Sequence, residues 1–224
     1  GAAMSTVVTA ALGAMITKSW GIPGSTGPFV LTGWLLVAGA YTFGALDVSG
    51  DHPELASDYI KGVTMIPSHI ELVQIFFRNI GQVYLLGNEI SGAIILLGIL
   101  IASRAAGIAA ICGSLIAMAT AIALRAEPHL VVQGLYGFSA VLTAMAVGVI
   151  FLKPSPRVVV YALLATIVTV FLQGAYDVLT EPLGLPSFTA PYVLTMYLFI
   201  APKKLLAPHP HSAVGEHLVT DTNN

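Results

Sequence analysis

Two segments of this 224-residue chain place a threonine two residues ahead of a proline at the head of an apolar run: Thr26-Gly27-Pro28 and Thr189-Ala190-Pro191. Threonine is a fair helix N-cap and proline is tolerated in a first turn, so each triplet reads as a helix start. Capping alone would account for both. If the two starts meet inside a bilayer, their hydroxyls, and backbone groups left unpaired by proline, offer hydrogen bonds to a small polar solute. A second polar set is Glu71, Gln74, Arg78 and Gln82, which on a helix form one stripe. Ser68 and Glu71 make a capping-box pattern that starts this helix. Lipid would not tolerate the stripe, so the spacing predicts a helix that faces a watery cavity or dips in and returns. An amphipathic helix at the interface is the plainer alternative. A third set is Gly134 to Leu142, GLYGFSAVL, where Phe138 and Leu142 share a helix face. That face is either ordinary core, which spacing alone favours, or one wall of a slot.

Other chemistry is not set out in the chain. The six histidines form no ligand constellation, and His209-Pro210-His211 is weak as a metal site. There are no paired carboxylates within an apolar run, no Ser-His-Asp arrangement and no glycine-rich phosphate loop. The expectation is therefore no catalytic residue, no metal, no cofactor and no enzyme. Apolar runs free of acidic residues argue against a proton or sodium relay, so transport would be passive. Glu89 sits where a run begins and reads as interfacial.

The elements that must position these residues follow from composition. The chain is 56% hydrophobic and 9% charged, with a mean hydropathy of +0.87. Soluble domains carry about 25% charge, so lipid must cover most of this surface: the fold class is an all-α polytopic membrane protein. A net charge of -2 excludes a nucleic-acid footprint, and the single cysteine, Cys112, excludes an internal disulfide. The N-terminus shows no secretory signal. Apolar runs predict helices at about 2–16, 29–46, 89–103, 107–124, 136–152, 157–179 and 189–201, given that about 20 residues cross a bilayer core. Suppose 68–86 does not cross. Lys18, Arg104, Lys153, Arg157, Lys203 and Lys204 then share one side. Asp47, Asp51, Glu54, Asp58, Asp177 and Glu181 share the other, with Lys61 and Arg125 as exceptions. The positive-inside rule then favours a re-entrant helix and a cytoplasmic C-terminus.

Residues 21–38 and 184–201 align without gaps at an offset of 163, with nine of eighteen positions identical. An odd number of spans between them makes the copies enter from opposite sides, the mark of an inverted-repeat channel or transporter. Residues 1–46 then hold the C-terminal part of a first repeat, 47–67 an acidic extracytoplasmic loop, 68–201 a second repeat and 202–224 a polar cytoplasmic tail. At that offset the first-repeat counterpart of the polar stripe would fall about 80 residues before Gly1, so the expectation is a fragment of a protein of roughly 320 residues.

These segments resemble the urea transporter family. Its Leu-Pro-x-x-Thr-x-Pro-Phe marker is similar to IPGSTGPF at 22–29 and LPSFTAPY at 185–192. Phe77-Arg78-Asn79-Ile80-Gly81-Gln82-Val83 is similar to its FRGxGQV segment, Asn88 to Gly92 to its Asn-x-x-Ser-Gly, and GLYGFSAVL to its GLYGYNGxL. The resemblance implies a homotrimer in a cell membrane, plasma or inner, with one pore per protomer passing urea down its gradient. It implies that Thr26 and Thr189 flank the narrow centre of the filter, that Gln82 and Val83 lie at one urea-binding end, and that Phe138 and Leu142 form an apolar wall. Phe138 stands for Tyr, Ser139 for Asn and Ala140 for Gly, with milder changes at Ile22 and Tyr192. A pore for another small neutral solute, an amide or ammonia, and a non-conducting fragment are the competing expectations.

Overall fold

Serine and asparagine caps set four of the described helix starts. The computed structural model describes residues 2–42 and 67–200, so the loop residues 47–66 and the tail 202–224 lie outside the described residues. A first pair, α1 (Ala2–Trp20) and α2 (Gly27–Thr42), packs together, with Thr9 Oγ1 donating to Thr32 Oγ1 at 3.0 Å. Helix α3 (His69–Gly81) begins on Ser68 with the capping box complete: Ser68 Oγ accepts from the Glu71 N–H at 3.3 Å, and Glu71 Oε2 accepts from the Ser68 N–H at 2.7 Å. Asn88 caps α4 (Glu89–Ala102), Ser103 caps α5 (Arg104–Ala123), and Ser155 with Pro156 opens α8 (Pro156–Thr180). Each cap side chain accepts a backbone N–H three residues on, which would otherwise be orphaned in an apolar setting. Between α5 and α8 lie α6 (Pro128–Val132) and α7 (Phe138–Met145), and α9 (Ala190–Ile200) ends the described chain.

Helix α3 and its 3-10 extension (Gln82–Tyr84) meet α4 at a bend of 71°. Leu85, in the left-handed conformation at φ 60, turns the chain. Two glycines allow the fold-back to close: a Cβ on Gly81 would overlap the Leu86 carbonyl, and one on Gly92 the Phe77 carbonyl. Packed there are Ile80, Leu96, Ala110 and Val141, from α3, α4, α5 and α7.

Helix α7 is the centre of the molecule. Ser139, Ala140, Val141 and Thr143 are all fully buried, and the two hydroxyls among them are hydrogen-bonded, as burial requires. Gly113 of α5 lets the two helices approach, since a Cβ there would come within 2.8 Å of Ala144 Cβ. The run over 136–152 reads from sequence as one long helix. Helix α7 instead starts at Phe138, because Gly134 (φ 79) and Gly137 fold the preceding chain against Arg78 and Asn79. It passes into a π-helical turn over Ala146–Ile150, so the apolar helix is shorter than its hydropathy suggests.

Helix α5 and the segment Pro156–Leu183 are each long and apolar enough to cross a membrane, and the bent α3–α4 pair passes the same test jointly. Outward faces are apolar: Ile94, Ile101, Ile108 and Phe171 are all more than half exposed. Buried polar side chains, among them Asn79, Ser114, Thr143 and Thr169, hydrogen-bond inside. Apolar outside with paired polar groups inside is the distribution of an all-α membrane protein.

Candidate functional site

The two Thr-x-Pro segments are built alike down to the backbone. Gly21 and Gly184 both have φ +62, and the non-glycine residues Ser25 and Phe188 have φ 45 and 46. Positive φ at a non-glycine residue is uncommon, and at a phenylalanine rarer still. Threonines 26 and 189 then take the N-cap position, their carbonyls accepting from Val30 and Val193 at 3.0 Å in both copies. One turn on, Thr32 Oγ1 donates to the Pro28 carbonyl and Thr195 Oγ1 to the Pro191 carbonyl, each at 2.8 Å. All six pairs of positions are related by the offset of 163 seen in the sequence.

The two starts meet. Thr26 Oγ1 lies 2.7 Å from Thr189 Oγ1. To one side Ser25 Oγ lies 2.6 Å from the Tyr192 hydroxyl, and to the other the Phe29 and Phe188 rings meet edge-on at 5.3 Å between centroids. Applying the offset to Ser25–Tyr192 gives Phe188–Phe29, so the flanking contacts are the same two positions exchanged. Such reciprocity is what a two-fold axis through the threonine pair produces. Gly27 keeps the approach close: a Cβ there would stand 3.1 Å from the Tyr197 hydroxyl and 3.3 Å from Val193 Cγ1. Trp34 Nε1 donates to the Pro186 carbonyl and the Tyr41 hydroxyl to the Gly184 carbonyl, both at 2.8 Å, which lashes α2 to the segment before α9. Both threonines are half-buried. The bond between them leaves lone pairs free on two adjacent oxygens, a place for N–H donors.

Most of the polar stripe of α3, expected to face a watery cavity or to dip in and return, is engaged by hydrogen bonds to the protein. Arg78 donates to the Val132 carbonyl at 3.1 Å and pairs with Glu89 Oε2 at 3.2 Å, and Gln82 Nε2 donates to the Gln133 carbonyl at 3.0 Å. Val132 and Gln133 end the short α6, whose last carbonyls have no helical partner. Two of the four stripe residues are thus spent on satisfying another helix. Glu71 is spent on the cap.

Helix α7 links the remaining candidates. Val83 packs on the cluster that contains Val141. The next residue along α7, Leu142, packs on the cluster of Tyr192, Met196 and Ile200 in α9. Phe138 is 6% exposed and stands one turn before Leu142. The structure therefore brings Thr26, Thr189 and the α9 partners of Leu142 into one neighbourhood, while Gln82 and Val83 join it through α7. Residue-by-residue reading missed Ser25, Phe29, Phe188 and Tyr192; the offset applied to contacts rather than to letters is the signal that finds them.

Known proteins place the chain. The family model described as "Urea transporter" matches residues 1–204. "Urea transporter 1" of Capra hircus is 28% identical over 203 residues, covering 87% of this chain and 50% of that protein. "Urea transporter 1" of Ovis aries is 27% identical over 203 residues with the same coverage, and that of Rattus norvegicus 28% over 204. The chain spans about half the length of the curated relatives it matches. With the ordered motifs and the paired helix starts, a match over nearly all of the sequence puts this chain in the urea transporter family.

Proposed function

We propose that the protein passes urea down its gradient across a cell membrane, through a slot centred on the Thr26–Thr189 pair. The observation that carries this is the 2.7 Å contact of two equivalent hydroxyls, with reciprocal flanking contacts, in a chain of this family. Urea is flat, neutral and strongly dipolar, with four N–H donors and one carbonyl acceptor. Apolar walls from Phe138 and Leu142 fit its plane. Oxygens of Thr26 and Thr189 along the edge replace hydrogen bonds lost from water, each worth about 1 kcal/mol net and costing more if left unmade. Gln82 and Val83 form one end of the path. An ion would lose far more hydration than this slot returns.

The exchanged contacts support reading 21–38 and 184–201 as halves of an inverted repeat, with 68–201 as the second repeat and the 71° bend between α3 and α4 as a re-entrant turn. Membership of the family supports a homotrimer in a plasma or inner membrane, and loop charge supports an acidic loop 47–67 outside and a cytoplasmic C-terminus.

Stopped-flow shrinkage of proteoliposomes in a urea gradient tests the function. The expected result is urea permeability well above that of empty liposomes and above that for acetamide, formamide and ammonia. Permeability equal to empty liposomes rejects urea conduction, and a higher rate for an amide or ammonia reassigns the solute.

A further inference from the structure

Gln173 of α8 is 2% exposed, and its carboxamide is engaged at both ends. Its Oε1 accepts from Ser139 Oγ at 3.0 Å. Its Nε2 donates to Ser187 Oγ at 2.8 Å and to Asp177 Oδ1 at 3.0 Å, which uses both amide hydrogens. Ser139 directly follows Phe138, the start of the proposed wall. Ser187 directly precedes Phe188, whose positive φ sets up the Thr189 helix start. One side chain thus spans from the wall helix to the turn that carries the filter threonine. A turn along α8, Thr169 Oγ1 and Thr143 Oγ1 meet at 2.8 Å, a second tie between the same two helices.

The chemistry favours a geometric role. An apolar side chain of similar volume would fill this place without the cost of burying an amide. What an amide adds is a fixed distance and direction between its partners.

We propose that Gln173 is a positioning residue that sets the spacing between the Phe138–Leu142 wall and the Thr189 helix start, and so the solute width that the path accepts. This rests on the reading of those residues as the urea path. In the aligned first segment the position equivalent to Ser187 is Gly24, which has no side chain to tie; its carbonyl accepts from the Tyr197 hydroxyl at 3.4 Å.

The test uses the full-length protein in proteoliposomes and compares urea with N-methylurea, which is wider. Gln173→Met keeps the length and removes all three hydrogen bonds; it should raise the methylurea-to-urea permeability ratio at least about fivefold, the factor that the loss of even one bond of about 1 kcal/mol corresponds to. Ser139→Asn should shift the ratio too, by crowding Gln173. The double variant Ser139→Asn/Gln173→Ala, which supplies the amide from α7, should move it back towards the parent value. Equal losses for both solutes, with no recovery in the double variant, would overturn the proposal. Hydrogen exchange gives an answer independent of the solute: Gln173→Met should speed exchange at 185–190 and leave α3 unchanged. Unchanged exchange at 185–190 overturns the tie even where urea conduction holds. A parent protein that passes no urea, with faster exchange in the variant, rejects the urea reading but not the tie. Ser187→Ala, in a half-buried turn, cuts one end of the tie if Gln173→Met does not fold.

Discussion

At the residue scale the decisive groups are two hydroxyls that sequence spacing leaves ambiguous. A threonine before Gly-Pro or Ala-Pro is a helix cap whatever else it does, and both threonines do occupy the N-cap position. Their side chains, however, bond to one another across the two segments. Thr189→Val and Thr26→Val should each lower urea permeability roughly three- to tenfold, the effect of one lost hydrogen bond. Because the two hydroxyls share a bond, the double variant should lose less than the product of the single losses. Stopped-flow rates for the four proteins measure this directly, and strict additivity would separate the two hydroxyls. At the next position Tyr192→Phe removes the partner of Ser25 while leaving the ring in place. With the left-handed Ser25 no longer pinned, a smaller decrease is expected in the same assay.

At the scale of elements, the fold-back of α3 onto α4 depends on bare backbone. A methyl on Gly92 has nowhere to go but into the Phe77 carbonyl, so Gly92→Ala should cost about 1–3 kcal/mol, visible as a lower unfolding temperature in detergent. Arg78 works at the same corner by serving two partners in different directions, the Glu89 carboxylate and the Val132 carbonyl. A guanidinium has the fork to do this and an ammonium does not. Arg78→Lys should therefore destabilise almost as much as Arg78→Ala by the same melt. Parity of Arg78→Lys with the parent would show that charge alone suffices. The capping box at Ser68 and Glu71 was legible in the sequence because it is a local pattern. The destination of Arg78 and Gln82 was not, because the carbonyls they serve lie about fifty residues away in α6.

For the whole molecule, the prediction concerns which side of the membrane each loop faces. The proposed orientation, drawn from loop charge, puts Arg104 and Lys153 on the cytoplasmic side. Cys112 is free and exposed, so labelling experiments start from Cys112→Ser. In that background, Arg104→Cys and Lys153→Cys should react with an impermeant maleimide only from the cytoplasmic face of oriented vesicles. Reaction from the outside would invert the orientation, and reaction from opposite sides would mean that α5 and α7, which separate the two positions, do not both cross.

The amino-acid sequence by itself determined the class of the molecule and the identity of its parts. So little charge leaves no way to build a water-soluble surface. Caps, prolines and glycines mark helix starts because they act on their own few residues, and the repeat shows because two stretches must make the same turn. What only the tertiary structure decided is which of these parts touch. Spacing could not tell a capping threonine from a paired one, or show that Leu142 packs on α9 while Val141 beside it packs towards α3 and α4. Nor could it show that the glutamine on α8 joins Ser139 to Ser187. Contacts between residues far apart along the chain depend on how the helices are placed against each other, and that placement is settled by the packing of all of them together.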